Sequence, residues 1–466
     1  MKINKNVWLK VITLFALLTF CTHQGYTQPP AVVQSSDFTY SLNLTSLSFS
    51  GDGIIRIRSD DNTIFYDAPH WNVSESKPVG YKSGSKPKIA CLFNITGTCN
   101  STLYVKGESS NGMLFPSQQL RLNSNGAVYD LAESNVGFES GKTDYFENYK
   151  INWYFSDSPN ASQWTKIGTS QNKIYVTKGQ PLRIYDTGIE NATFHSTLYL
   201  GCKYGKGQTS DLGVIQEVYK HFKDKNVESG DNRCLQYWGS NYGNPYLLSS
   251  PNIDIELLYR PQGLLKYGEG TCNAWSLFFI EIMRTQGING VEFLVIRWAT
   301  DETERLNSVT GSTTTLTNDL NSSGYRATTT NLSNLRARFF VNSWNISNNN
   351  KFELLTASNL SSYTPGGYIA TIDNAGVKGQ CMDNPWSSFT DHVIVRYQGI
   401  FYDPSYGSVP TSSIEEWQTN SITFFGTFIS LREIDDTRGT FNPYIWIKGQ
   451  NSIDKVNFRL EPQHQF

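Results

Sequence analysis

The chain has 466 residues, 39 of them basic and 41 acidic, and only 17% charged overall. That length implies two to three domains with ample chain for a large core, and the near-zero net charge excludes a strong field for nucleic acid or anionic membranes. Aromatic residues at 14%, with abundant Asn, Ser, Thr and Gly, fit an extracellular β-rich protein better than a cytosolic helical one.

The N-terminus points to export. Lys2, Lys5 and Lys10 precede the apolar run Val11 to Phe20, and Gly25-Tyr26-Thr27 offers a small-residue cleavage site before Gln28-Pro29-Pro30. Residues 1–27 therefore read as a signal peptide, and the mature chain as secreted, periplasmic or cell-surface. No later stretch reaches the ~18 apolar residues that a transmembrane helix needs. Lipid anchoring at Cys21 is the competing reading, although Phe20 stands where a lipobox wants a small residue.

Six cysteines remain after residue 27: Cys91, Cys99, Cys202, Cys234, Cys272 and Cys381. An even set in an oxidising compartment would ordinarily pair completely. Proximity in sequence suggests Cys91 with Cys99 and Cys202 with Cys234. If Cys272 stays free for chemistry, one further cysteine is left over. No Cys/His spacing suggests a zinc site.

Residues 28–195 read as strands separated by turns, with alternating runs at 54–58, 88–93, 102–106 and 149–154. Their spacing fits a β-sandwich of immunoglobulin-like type. Trp153 and Trp164 are either core plugs or a surface platform for a ligand. No helical period is evident before residue 209.

Residues 196–466 change character toward α+β. Ser210 precedes an amphipathic helix with Leu212, Ile215, Val218, Tyr219 and Phe222 on one face. A second helix follows Gly268-Glu269-Gly270-Thr271-Cys272, with Thr271 as a capping residue, Arg284 in the last turn and Gly287 as a left-handed stop. Apolar residues from Ala274 to Met283 occupy nearly every face, so this helix is expected in the middle of a domain. Cys272 then sits at a helix N-terminus, where unpaired amides and the macrodipole favour a thiolate. A buried strand follows at 291–298. Residues 301–380, rich in Ser, Thr and Asn, read as a loop-rich insertion or flap with one strand near Phe339-Phe340-Val341. Further strands are expected at 392–397, 401–403, 423–425 and 444–447.

Among the histidines, His70, His195 and His221 have ordinary structural readings, whereas His392 precedes Asp403 at a spacing that fits a hairpin. With Gln398-Gly399 as a two-residue turn, residue 394 opposes 403 and His392 is its diagonal neighbour on the same face. A three-residue loop would put the two on opposite faces. A carboxylate beside a histidine fixes its tautomer and favours the imidazolium that partners a thiolate. Cys272, His392 and Asp403 thus form a candidate Cys-His-Asp arrangement, set against the plainer reading of a buried cysteine and a surface His-Asp pair.

Gly268-Glu269-Gly270-Thr271-Cys272 with Ala274, Arg284, Gly287 and Ile288, followed by His392 and then Tyr402-Asp403-Pro404-Ser405-Tyr406-Gly407, resembles the transglutaminase-like superfamily. The resemblance covers roughly residues 196 to 410. It implies a papain-like α+β fold, with Cys272 as nucleophile, His392 as general base and acid, and Asp403 as the orienting carboxylate. Trp238 resembles the tryptophan that helps stabilise the oxyanion in animal transglutaminases; an aromatic wall is its plainer reading. The chain departs from the family at Asn289-Gly290, at Val393-Ile394-Val395 and in the long gap between Cys272 and His392.

The implied chemistry is attack on an amide of a protein or peptide through an acyl-thioester, with hydrolysis as the first expectation. Transfer to an amine, and an inactive triad on a binding or adhesion protein whose β-sandwich holds a surface ligand, are the alternatives. No cofactor is expected, and no acidic loop supports a calcium site.

Overall fold

The computed structural model describes residues 32–35, 38–61, 63–66, 70–72, 76–97, 102–123, 126–182, 192–237, 259–298, 316–317, 326–327, 335–341, 379–381, 388–389, 392–430, 444–448 and 458–462. The protein is sheet-rich, with several sheets and few helices. It divides into two compact units. The first comprises residues up to 54, 66–140 and 145–175, and the second comprises 55–65, 141–144 and 176–466. The boundary expected at 195 falls inside the second unit.

In the first unit, one sheet runs in the order Val32–Ser35, Phe38–Ser50, Lys88–Gly97, Gly126–Glu133 and Arg121–Asn123. Another contains Val79–Lys82, Thr165–Thr177, Asp144–Ser156, Tyr104–Ser109 and Leu114–Gln119 in that order. Buried and half-exposed residues alternate along Lys88–Phe93 and Tyr104–Gly107, as strands with one covered face require. Trp153 is fully buried between the sheets, ringed by Phe93 and Tyr129 from one and Phe115 from the other. Its cross-strand partner is Gly107, where a Cβ would lie 3.0 Å from the indole, so the glycine makes room for the ring. Trp153 is therefore a core residue. Trp164 is half-buried, and the Lys106 ammonium lies over its ring at 4.9 Å.

Among the described residues, the second unit holds five helices: α1 (His195–Tyr204), α2 (Asp211–Lys223), α3 (Pro261–Tyr267), α4 (Cys272–Thr285) and α5 (Ile414–Ser421). Helix α1 corrects the expectation of no helix before residue 209. It is buried from His195 through Cys202 and so shows no 3.6-residue polar stripe to read. Its start leans on a distant residue: Ser196 donates its N–H (3.0 Å) and its hydroxyl (2.5 Å) to the carboxylate of Asp60. Helix α2 follows the sequence signal closely. Ser210 accepts from Gly213 N–H at 3.0 Å, and Ile215, Val218, Tyr219 and Phe222 are buried. Val214 takes the buried place expected for Leu212, which is half-exposed.

Helix α4 is the centre of the unit. Trp275, Phe278, Phe279, Ile282 and Met283 are fully buried, each contributing roughly 1.5–3 kcal/mol of apolar burial. Phe222 and Tyr219 of α2 pack edge-on against Phe279, at centroid distances of 5.1 and 5.7 Å. The helix ends in a Schellman motif. Gly287, at φ +77°, donates to Arg284 O (2.9 Å), and Ile288 donates to Met283 O (3.0 Å).

On α4 lies a four-stranded sheet in the order Ile400–Tyr402, His392–Tyr397, Glu292–Trp298 and Phe458–Pro462. Ser276 of α4 donates to Val393 O at 3.1 Å and fixes the helix along the His392 strand. Much of the expected 301–380 insertion lies outside the described residues. Its strand Leu335–Val341 joins a second sheet, between Ser388–Phe389 and Ile422–Ser430, with Tyr444–Lys448 beyond. Among the described residues the insertion therefore supplies a sheet strand, and also the short antiparallel pair Leu316–Thr317 with Arg326–Ala327. No helix among the described residues is long and apolar enough to cross a membrane.

Candidate active site

The cysteine is positioned by two glycines. Gly268, at φ +83°, closes α3 in the left-handed conformation. Two residues on, a Cβ at Gly270 would lie 2.8 Å from that of Ala274, so only glycine lets the chain turn this tightly into α4. Thr271 occupies the N-cap position in extended backbone, but its hydroxyl makes no capping bond, contrary to the expectation from sequence. Cys272 is the first helical residue. It is a free thiol, partly exposed, while Ala274, Trp275 and Ser276 directly behind it are buried. The first N–H groups of a helix have no intrahelical acceptor, so Cys272 stands at the donor end of α4.

The histidine and the carboxylate come from one hairpin. Val395 pairs with Tyr402, Arg396 with Phe401 and Tyr397 with Ile400. Gln398 (φ +48°) and Gly399 (φ +81°) form the two-residue turn, with both residues left-handed as a type I′ turn demands. This register keeps 392 and 403 on one face. His392 Nε2 donates to Asp403 Oδ2 at 2.9 Å, and both side chains are fully buried.

Asp403 is held on every side. Its Oδ1 accepts from Ser405 N (3.2 Å) and Tyr406 N (3.3 Å), and its carbonyl accepts from Gly407 N at 2.8 Å. From α2, the Tyr219 hydroxyl accepts from Asp403 N (3.0 Å) and donates to Ser408 O (2.7 Å). Tyr219 is fully buried too. One phenol thus ties the carboxylate's backbone to the helix that packs on α4.

Electrostatics in this pocket favour a protonated imidazole. Burial alone lowers the proton affinity of His392. The charge of Asp403 and its hydrogen bond, with the Cys272 sulfur as hydrogen-bond partner and charge, outweigh burial and push the imidazole up to about 10. Asp403 holds Nε2, so Nδ1 is the ring nitrogen that the carboxylate does not engage. The ring faces are covered by aromatics. Trp417 of α5 lies nearly parallel to the imidazole, 13° between planes at 6.1 Å, and Tyr406 lies 5.7 Å away at 53°.

The three residues singled out for chemistry, Cys272, His392 and Asp403, are therefore brought together. Trp238 lies outside the described residues. Its neighbour Tyr237 is buried and packs on Tyr406 at 4.9 Å, and its main chain pairs with Gly270 beside the cysteine. The remaining histidines are elsewhere. His70 lies in the strand His70–Asn72. His195 faces Asp231 at 3.6 Å, and His221 stacks on Tyr204 at 3.8 Å, with burial pushing its imidazole down to about 4.

The cysteine pairing expected from proximity is corrected. Cys234 is bonded to Cys381 across 147 residues, with Cα atoms 6.0 Å apart, while Cys202 and Cys91 are free and buried. This bridge borders the site. Gln380, next to Cys381, accepts from Tyr237 N at 3.1 Å and donates through its amide to Phe222 O (2.7 Å) and Pro404 O (2.8 Å). Gln380 and Trp417 are not singled out in the sequence, and Tyr219 and Tyr406 read there only as a helix-face residue and as part of the segment around Asp403. Tyr219 reaches the site from a helix far away in the chain, whereas Gln380, Tyr406 and Trp417 lie near the hairpin in sequence, and nothing in their local pattern separates them from ordinary core residues.

Among the described residues, no group of three or more His, Cys, Asp or Glu side chains is arranged to hold a metal ion. The arrangement can supply a sulfur nucleophile, a proton donor and acceptor on its flank, and amide donors at the helix end. No family model matches the chain, and no curated protein matches it.

Proposed function

We propose that the second unit is an exported, transglutaminase-like cysteine enzyme of papain-like architecture that attacks amide bonds of proteins or peptides, and that it hydrolyses them. The observation that carries this reading is His392, buried between Asp403 at 2.9 Å and the sulfur of a helix-N-terminal cysteine. The first unit is read as an immunoglobulin-like sandwich appended to the enzyme. The disulfide Cys234–Cys381 supports an oxidising compartment, in keeping with the signal-like N-terminus.

In the proposed reaction the thiolate of Cys272 attacks the amide carbon, and the developing oxyanion meets the unpaired N–H groups at the start of α4. Collapse breaks the C–N bond, and the imidazolium of His392 gives its proton to the departing amine. Water then attacks the thioester while His392 takes one of its protons, which releases the acid and restores the thiol–imidazole pair. Asp403 keeps the imidazole in the orientation that serves both steps.

The test is incubation with a glutaminyl peptide and a labelled primary amine. Release of ammonia or peptide fragments that disappears in Cys272→Ala supports hydrolysis. Incorporation of the amine, lost in the same variant, would replace hydrolysis with acyl transfer. Failure of Cys272 to alkylate faster than an ordinary thiol near neutral pH would remove both and leave a binding protein.

A further inference from the structure

We infer that Trp417 is a positioning residue of this site: its indole, packed nearly parallel to His392 and offset from it, holds the imidazole in the plane that serves both Asp403 and Cys272 and favours its protonated form. The inference rests on the triad proposed above and assigns it a fourth member, supplied from beyond the hairpin.

The geometry is specific. The two rings are offset and nearly parallel, at 13° and 6.1 Å between centroids, and Trp417 is 1% exposed. An imidazole held at one nitrogen can still swing about its Cβ–Cγ bond. A flat indole along one face resists that swing, because rotation drives the ring edge into it. The groups that meet His392 are Asp403 at Nε2, the sulfur of Cys272, the tilted ring of Tyr406 and the indole of Trp417. Asp403 and Cys272 act at the nitrogens on the ring edge. The π-system of the indole lies at the outer limit of cation–π range from the imidazolium, and in a water-excluded site that attraction is stronger than at a surface.

The local sequence is built to deliver this ring. Ser413 accepts from Glu416 N at 3.1 Å, and the Glu416 carboxylate accepts from Ser412 N at 3.0 Å, so the first turn of α5 is fixed up to the residue before Trp417. Upstream, Thr411 and Phe401 exchange backbone hydrogen bonds at 2.8 and 3.2 Å. Phe401 belongs to the hairpin strand that ends just before Asp403. The indole and the carboxylate are thus set by the same strand, one on a face of the imidazole and the other on its edge.

The experiment is titration of the His392 ring by NMR in the full chain, with the pH dependence of Cys272 alkylation followed in parallel. Trp417→Leu, confirmed folded by circular dichroism, is expected to lower the His392 midpoint by roughly half to one pH unit. The alkaline limb of the alkylation profile should shift in the same sense, and Trp417→Phe should retain most of the wild-type value. Because Trp417→Leu can fail to fold, fluorinated tryptophan incorporated in place of tryptophan provides a second measurement. Fluorination keeps the ring's shape and weakens its negative face, so the midpoint should fall with the number of fluorines. A folded Trp417→Leu protein with both midpoints unchanged, or a fluorine series without a trend, overturns the inference. If wild type turns over no amide while the His392 midpoint still responds to Trp417, the functional proposal fails and the stacking role stands.

Discussion

Tyr219 on α2 and Asp403 after the hairpin are joined at the backbone: the phenol accepts from Asp403 N–H at 3.0 Å and donates its own O–H to Ser408 O at 2.7 Å. The loop carrying the carboxylate is therefore fastened to the helix layer as well as to its own strand. Tyr219→Phe leaves a buried N–H and a buried C=O short of a partner. The expected cost is ~1–3 kcal/mol in chemical denaturation, with a fall in alkylation selectivity at Cys272. A variant as stable and as selective as wild type would mean the loop holds itself.

The His392–Asp403 pair sets a pH window. The imidazole's proton affinity is raised from its ordinary 6.5 to about 10 in the folded protein. A raised group stabilises the fold fully below its unfolded value, and that contribution is lost as pH rises through the folded one. Stability contributed by this pair should therefore decline between about 6.5 and 10. Asp403→Asn should flatten that decline and move the alkaline limb of activity to lower pH. Denaturation midpoints measured across this range in both proteins check the sign.

Reduction of Cys234–Cys381 should loosen the site from outside. The bond closes a loop of 147 residues, for which chain entropy gives an upper bound of about 5 kcal/mol. It also anchors Gln380 against Phe222 and Pro404. Thermal unfolding of the double variant Cys234→Ser, Cys381→Ser should begin at lower temperature. Activity under reductant should fall before the global transition. If activity survives intact up to the melting temperature, Gln380 does not depend on the bridge.

Gly287 is a single-residue test of the Schellman stop. Its φ is +77°, and a Cβ there would lie 2.8 Å from Gln180 O. Gly287→Ala should cost more than ~1 kcal/mol, because strain and a close contact add to the lost left-handed freedom. Gly290, also left-handed but with no atom within 4 Å of a Cβ, is the matched control. Equal losses at both positions would assign the effect to φ alone.

Much of this site was legible because local rules wrote it. A glycine that tolerates positive φ ends α4, a run of apolar residues on all faces marks it as central, and Gln398-Gly399 at two-residue spacing fixes the hairpin register. Those signals place Cys272 at a helix start and His392 on the same face as Asp403 without any long-range information. The alternation that marks Lys88–Phe93 as a half-buried strand is equally local.

What the chain alone did not reveal depends on partners far away in sequence. Helix α1 is buried nearly all round, so it carries no polar stripe, and its start relies on Asp60 more than a hundred residues earlier. The disulfide joins Cys234 to the far side of the Ser/Thr/Asn-rich region, where proximity favoured a nearer cysteine. Tyr219 and Trp417 read as core aromatics, because a buried ring has the same local pattern whether or not it braces a site. The sequence by itself determined where the sulfur, the imidazole and the carboxylate stand on their elements, through backbone preferences acting over a few residues. Only the tertiary structure decided that they meet, since closing loops of this length is governed by the packing of α2, α4 and α5 around the hairpin.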